Sequence, residues 1–171
     1  MTILIIEGPD LAGKTFAIEK IAKHFNRGFT LKNNFKPINK QSSSQIYAQY
    51  WKINALISKQ DFVILDRFFP SQAVYSYLRG IDEIEHSEIK ALDRYAWVND
   101  YLYIYLDTPL NLLMCRYEER GDAYIKIEQL KEIKERYDKF YNLTPMKKIK
   151  VDTLEEDWLE KLEAQINENR K

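Results

Sequence analysis

The stretch Ile3-Leu4-Ile5-Ile6-Glu7-Gly8-Pro9-Asp10-Leu11-Ala12-Gly13-Lys14-Thr15 decides the fold. Four apolar β-formers run into a G-x-x-x-x-G-K-[ST] loop, and a helical pattern follows. Strand, glycine loop and helix in that order are the setting of a phosphate-cradling P-loop. Gly8 and Gly13 let the backbone bend around an anion without a Cβ in the way. The bend turns the amides of Asp10, Leu11, Ala12 and Gly13 inward as a nest, backed by the positive end of the following helix. Lys14 is placed to reach β- and γ-phosphates, and the Thr15 hydroxyl to ligate Mg²⁺. With only five glycines in 171 residues, the match is hard to obtain by chance. The loop points to a nucleoside triphosphate such as ATP and leaves open what receives the phosphate.

Length and composition fit one domain, residues 1–171, with a normal balance of 45% hydrophobic and 30% charged residues. The formal net charge is zero, so no global basic field exists to hold long nucleic acid. The single cysteine, Cys115, excludes an internal disulfide and fits a reducing cytoplasm. The N-terminal apolar run lacks the basic flank of a signal peptide, and no stretch is long enough to span a membrane.

Downstream of the loop, Phe16, Ile18, Ile21, Ala22 and Phe25 recur at helical spacing, and Asn26-Arg27-Gly28 reads as a stop. Phe29 to Leu31 is a candidate short strand. Residues 32–44 are polar and aperiodic, and Lys32 or Lys36 is placed to meet an anion there. Ile46, Tyr50, Ile53 and Ile57 mark a helix, with Tyr47, Tyr50 and Trp51 candidates for stacking on a base.

Phe62-Val63-Ile64-Leu65 reads as a buried parallel strand ending in Asp66-Arg67. Ligands of open α/β sheets bind beyond the strand carboxyl ends. There Asp66 could hold Mg²⁺ through water or accept a proton, and Arg67 could clamp a phosphate bidentately. Helices are expected over residues 68–79 and 83–98, the second with Ile84, Ile89, Leu92, Tyr95, Ala96 and Trp97 inward.

A strand over 101–106 precedes Asp107, read as the N-cap of a helix starting near Pro109. That helix carries Arg116 and Arg120 on one face, ahead of Gly121 as a hinge. A lid over about 116–126, then a helix over 126–141, would close on the triphosphate. A last strand over 147–151 precedes a helix capped by Asp152 or Thr153, with Trp158, Leu159, Leu162 and Ile166 inward. The alternation predicts an α/β three-layer sandwich: about five parallel strands with helices on both faces.

These residues resemble thymidylate kinase, within the P-loop nucleoside-monophosphate kinases. Glu7 to Thr15 is similar to the family's E-G-x-D-x-A-G-K-[ST]. Asp66-Arg67-Phe68-Phe69-Pro70-Ser71-Gln72-Ala73-Val74-Tyr75 is similar to its D-R-[YF]-x-x-S-x-x-[AV]-[YF]. Arg116-x-x-x-Arg120-Gly121 sits where the family has its arginine-bearing lid. The resemblance implies that Asp10 binds the 3′-hydroxyl of the acceptor deoxyribose and Arg67 its phosphate. Tyr75 would crowd the 2′ position, and Gln72 stands where a side chain touches the base edge. Leu11 replaces the loop arginine of some members, which resembles the type taking its catalytic arginine from the lid.

Three departures fall on the base pocket. Tyr50, not arginine, precedes Trp51; the spacing from Trp51 to Asp66 is shorter; and the usual R-E-P-G is absent, with Lys32 or Lys36 in its place. The implied reaction is ATP- and Mg²⁺-dependent phosphorylation of dTMP or a modified pyrimidine deoxynucleotide of the kind some bacteriophages use. The resemblance also implies a homodimer and, for a viral member, the host cytoplasm. The alternatives are a deoxynucleoside kinase acting on a 5′-hydroxyl, a kinase acting on DNA, and a nucleotide-binding switch without transfer.

Overall fold

The computed structural model describes residues 1–26, 29–32, 43–79, 86–123 and 125–168. Lys36, Arg27, Gly28 and Ile84 lie outside the described residues.

The strands are β1 (Thr2–Glu7), β2 (Phe29–Lys32), β3 (Phe62–Asp66), β4 (Leu102–Leu106) and β5 (Lys147–Val151). They form one parallel sheet in the order β2-β3-β1-β4-β5. The described helices are α1 (Lys14–Phe25), α2 (Ser43–Ile57), α3 (Phe69–Arg79), α4 (His86–Val98), α5 (Leu110–Arg120), α6 (Gln129–Leu143) and α7 (Trp158–Glu168). The result is the expected α/β sandwich. Central strands β1, β3 and β4 are continuous apolar runs because both of their faces are covered.

From β1 the chain moves outward to β2, whereas from β3 it crosses β1 to reach β4. The order therefore reverses beside β1 and β3, and a crevice opens beyond their carboxyl ends. Register brings the right residues there: Ile6 pairs with Asp66, and the Arg67 amide donates to Ile6 O at 3.1 Å.

Several local expectations change with packing. Phe16 is 48% exposed, because the start of α1 faces the crevice while Ala17, Ile18 and Ile21 face the sheet. Trp97 is half-exposed at the end of α4, since Ile89, Leu92 and Ala96 supply its inner face. Asp107 does not cap α5, whose N-cap is Pro109; its carboxylate is ion-paired with Lys134 and Lys150. Neither Asp152 nor Thr153 begins α7. Asp152 accepts from the Leu154 amide in a turn, and the helix starts at Trp158. Helix α6 starts at Gln129, after a turn in which the Lys126 amide donates to Gln129 Oε1.

Candidate active site

The glycine loop leaves β1 through Gly8, whose φ is 152° and whose absent Cβ would lie 3.0 Å from Leu106 O. Only glycine fits there. Leu11 adopts φ 67°, a left-handed conformation that costs a bulky residue about 1–2 kcal/mol. Gly13, with φ 86°, leads into α1. The loop thus alternates its backbone handedness, which makes a nest of amides rather than a ladder.

Lys14 folds back along the loop and donates to Gly8 O at 3.0 Å and Pro9 O at 2.6 Å. Burial, with the Arg67 charge nearby, lowers its ammonium to about 7, against the pull of Asp10, Glu7 and Asp66. The carbonyls satisfy a cation that phosphate oxygens would satisfy better.

Beside Lys14 stands Arg67, with φ 68°, its side chain reaching the same Gly8 carbonyl. Its Nη1 donates to Ser71 Oγ at 3.0 Å, to the Tyr137 hydroxyl at 2.9 Å and to Gly8 O at 3.4 Å. Its Nη2 bonds the Asp10 carboxylate, and the guanidinium stacks 5.0 Å from the Tyr75 ring centroid. Burial opposes the charge, but Tyr75, Tyr137, Asp10 and Glu7 around it keep it firmly protonated. The second left-handed non-glycine residue of the site is therefore over-determined by its contacts, as strained residues at functional sites must be.

Glu7, fully buried at the end of β1, completes this corner. It accepts from the amides of Phe68 (2.7 Å) and Ser71 (3.1 Å), from Ser71 Oγ (2.6 Å) and from the Tyr137 hydroxyl (3.0 Å). Burial pushes its carboxyl up, while Arg67, Ser71, Phe68 and Lys14 restrain the rise.

Between the loop and Arg67 lies a cavity of about 840 Å³. Asp10, Leu11, Gly13, Lys14 and Thr15 line it with Asp66, Arg67, Arg116 and Arg120. Phe16, Thr153 and Leu154 form part of its wall as well. Arg116 Nη1 donates to Leu11 O at 2.7 Å, so α5 already touches the loop. Gly121 ends α5 with its amide on Tyr117 O, and the Tyr117 hydroxyl donates to Ile125 O.

The sequence-expected residues divide accordingly. Lys14, Thr15, Asp10, Asp66, Arg67, Arg116 and Arg120 meet around one cavity, and Ala12 is buried beneath the loop. Tyr75 backs Arg67 at 5% exposure. Tyr50 is different: it is 1% exposed, its ring edge-on to Phe68 and Phe69 at 5.1 and 6.5 Å, a core position rather than a base-stacking one. Trp51 packs on Tyr95 at 4.8 Å. The Gln72 amide is bonded to Ser76. Lys32 ends β2 in register with Asp66. His24 bonds Glu163 at the surface, away from the cavity.

Sequence reasoning assigned no role to Glu7 or Tyr137. An acid closing an otherwise apolar strand was a visible signal for Glu7. Tyr137, one aromatic among many on a helix 70 residues beyond Arg67, offered none.

A parallel sheet with a glycine loop after its central strand, and cations converging on the crevice at its carboxyl end, defines the class of P-loop phosphotransferases. Within that class the chain belongs to the thymidylate kinase family, whose model matches residues 39–166. The matched span begins after the glycine loop, so loop and family speak independently.

The SPbeta prophage-derived protein YorR of Bacillus subtilis (strain 168) is 25% identical over 142 residues, 80% of each chain. A crystal structure of YorR in complex with phosphorylated GDP has a TM-score of 0.79 at 22% identity, covering 99% of this chain and 97% of that one. A structure of deoxyadenosine kinase from M. mycoides, with dCMP and dCDP bound, has a TM-score of 0.62 at 18% identity. It covers 98% of this chain and 100% of that one. Among the described residues, no helix is long and apolar enough to cross a membrane.

Proposed function

We propose that the protein transfers the γ-phosphoryl group of ATP to the phosphate of a deoxynucleoside monophosphate, dTMP or a modified pyrimidine analogue. The observation that carries this reading is the convergence of two cationic anchors, Lys14 on the loop and Arg67 on the strand end, on one cavity. Each suits one of two anions set in line.

In this reading the loop amides and Lys14 hold the β- and γ-phosphates. The Nη2 edge of Arg67 exchanges Asp10 for the acceptor phosphate, which frees the Asp10 carboxylate for the 3′-hydroxyl. An acceptor phosphate oxygen forms the new P–O bond as the β,γ-bridging oxygen leaves with ADP. The acceptor is already an anion, so no general base is needed. Arg116, lying against Leu11 where some family members carry a loop arginine, would act with Arg120 to neutralise the moving group. Tyr75, packed on Arg67, would disfavour a 2′-hydroxyl.

Thr15 and Asp66 line the same cavity, and a hydroxyl with a carboxylate suits Mg²⁺, which takes few protein ligands beside phosphates. When bound, Mg²⁺ would supply charge neutralisation at the phosphate oxygens. Among the described residues, no three or more His, Cys, Asp or Glu side chains group as a metal-holding cluster.

ADP release with ATP is the test, run across the deoxynucleoside monophosphates, including dTMP, hydroxymethyl-dUMP and dGMP, beside the matching nucleosides. Turnover of pyrimidine monophosphates alone supports the reading. Turnover of nucleosides alone replaces it with a nucleoside kinase, and preference for dGMP moves the base assignment to purines, in line with the nucleotide bound by YorR. The homodimer implied by the family is checked by sedimentation equilibrium.

A further inference from the structure

Glu7 and Tyr137 are fully buried polar groups at the back of the site, and the transfer chemistry uses neither. Their hydrogen bonds run in one direction. Arg67 Nη1 donates to the Ser71 and Tyr137 hydroxyls, and each hydroxyl donates its own proton to Glu7 Oε2. The two hydroxyls also lie 2.9 Å from each other, so guanidinium, hydroxyl pair and carboxylate form one connected network. Arg67 itself stands 4.0 Å from Glu7, close enough for the charges to attract without direct contact.

The other Glu7 oxygen takes the Phe68 and Ser71 amides, at the start of α3. An acid there favours the positive helix end and grips the chain one residue beyond the left-handed Arg67. Side chain and backbone of Arg67 are therefore held by the same carboxylate.

We infer that Glu7 and Tyr137 are positioning residues for acceptor binding: they lock the Nη1 edge of Arg67 so that its Nη2 edge, now on Asp10, faces the incoming phosphate. This inference rests on the proposal that Arg67 holds the acceptor phosphate.

Steady-state kinetics of Tyr137→Phe, Glu7→Gln, Arg67→Ala and the Arg67→Ala/Tyr137→Phe double variant test it. Acceptor and ATP are varied separately, with thermal melting alongside. Tyr137→Phe removes one hydroxyl and should raise the acceptor KM about three- to tenfold, with kcat and the ATP KM within about twofold. Glu7→Gln should raise it further, since a carboxamide oxygen cannot serve all four donors. In the Arg67→Ala background, Tyr137→Phe should add nothing.

An equal KM increase in both backgrounds, or an unchanged acceptor KM in Tyr137→Phe, overturns the inference. Should Glu7→Gln fail to fold, Tyr137→Phe still decides. If Arg67→Ala itself leaves the acceptor KM unchanged, the proposed role of Arg67 fails first. If it raises KM while Tyr137→Phe does not, the positioning alone fails.

Discussion

The two ends of the cavity are built in opposite ways. At the loop end, residues 8–15 are contiguous, and what they offer an anion is mainly backbone amides aimed by local dihedral angles. At the Arg67 end, one side chain is held by Asp10 of the loop, Ser71 of α3 and Tyr137 of α6, with Glu7 of β1 behind them. In the proposed reading, a local motif suffices to grip a phosphate that every nucleotide shares. Placing a second phosphate at a defined distance then needs elements far apart in the chain, because only a packed core fixes such a distance.

That contrast fails if Lys14→Ala and Arg67→Ala share one kinetic signature. Lys14→Ala should lower kcat by about 10²–10³, the usual cost of losing a donor to a developing charge, and leave the acceptor KM near its original value. Arg67→Ala should raise the acceptor KM by about 10- to 100-fold, the equivalent of a charge-assisted hydrogen bond. Full kinetics with both substrates varied separate the two, and calorimetry checks that each variant folds.

A stability measurement sharpens the loop end. Gly8→Ala drives a Cβ against Leu106 and adds strain at φ 152°. A loss of about 1–3 kcal/mol is expected, visible in denaturant or thermal melts. An unchanged midpoint would mean that the loop relaxes freely and is not a preformed cradle.

Proton linkage tests the same end in solution. The ligand-free Lys14 loses its proton near pH 7, whereas a bound triphosphate favours the ammonium. Below about pH 7 the lysine is already charged, so binding takes up no proton through it. Above that pH, binding must bring one on, and affinity should fall by up to about tenfold per pH unit. Isothermal titration in buffers of different ionisation enthalpy measures the uptake. Equal proton counts at pH 6 and pH 8.5 would contradict it.

The smallest effect belongs outside the cavity. Burial raises the Asp107 carboxyl, but hydrogen bonds and charge from Lys134 and Lys150 outweigh it, leaving its pKa below the ordinary 3.8. A depressed carboxyl contributes stability above that value and loses it as pH falls through the folded-state pKa. Asp107→Asn should therefore cost about 0.5–1 kcal/mol at pH 7, with kinetics unchanged and the difference shrinking in acid. A kinetic defect would place this ion-paired group in the active site after all.

Much of the architecture was legible in the residue pattern, for reasons specific to each element. Val63 to Leu65 reads as a strand because both faces are buried and every position is apolar. Helix α7 declares itself through Trp158, Leu162 and Ile166 at helical spacing. Spacing marks an apolar face without saying what covers it. Trp97 ends its helix at the surface, and Phe16 faces the crevice. Tyr50 shows the same limit from the other side: its spacing fits both a substrate wall and a core, and Phe68 and Phe69 settle it as core. Asp107 precedes Pro109 as a cap would, yet two lysines from α6 and β5 claim it.

Residue order alone was enough to announce the glycine loop, the parallel sheet and the acid–arginine pair at a strand tip. Each depends on neighbours within about one turn or one strand, and local sterics act at that range. Folding had to decide which cations converge on one cavity and what braces them. Glu7 and Tyr137 are separated by 130 positions, and a carboxylate with no exposed surface is tolerable only where its donors converge in space. No spacing rule encodes that convergence; it exists only once β1, α3 and α6 have packed.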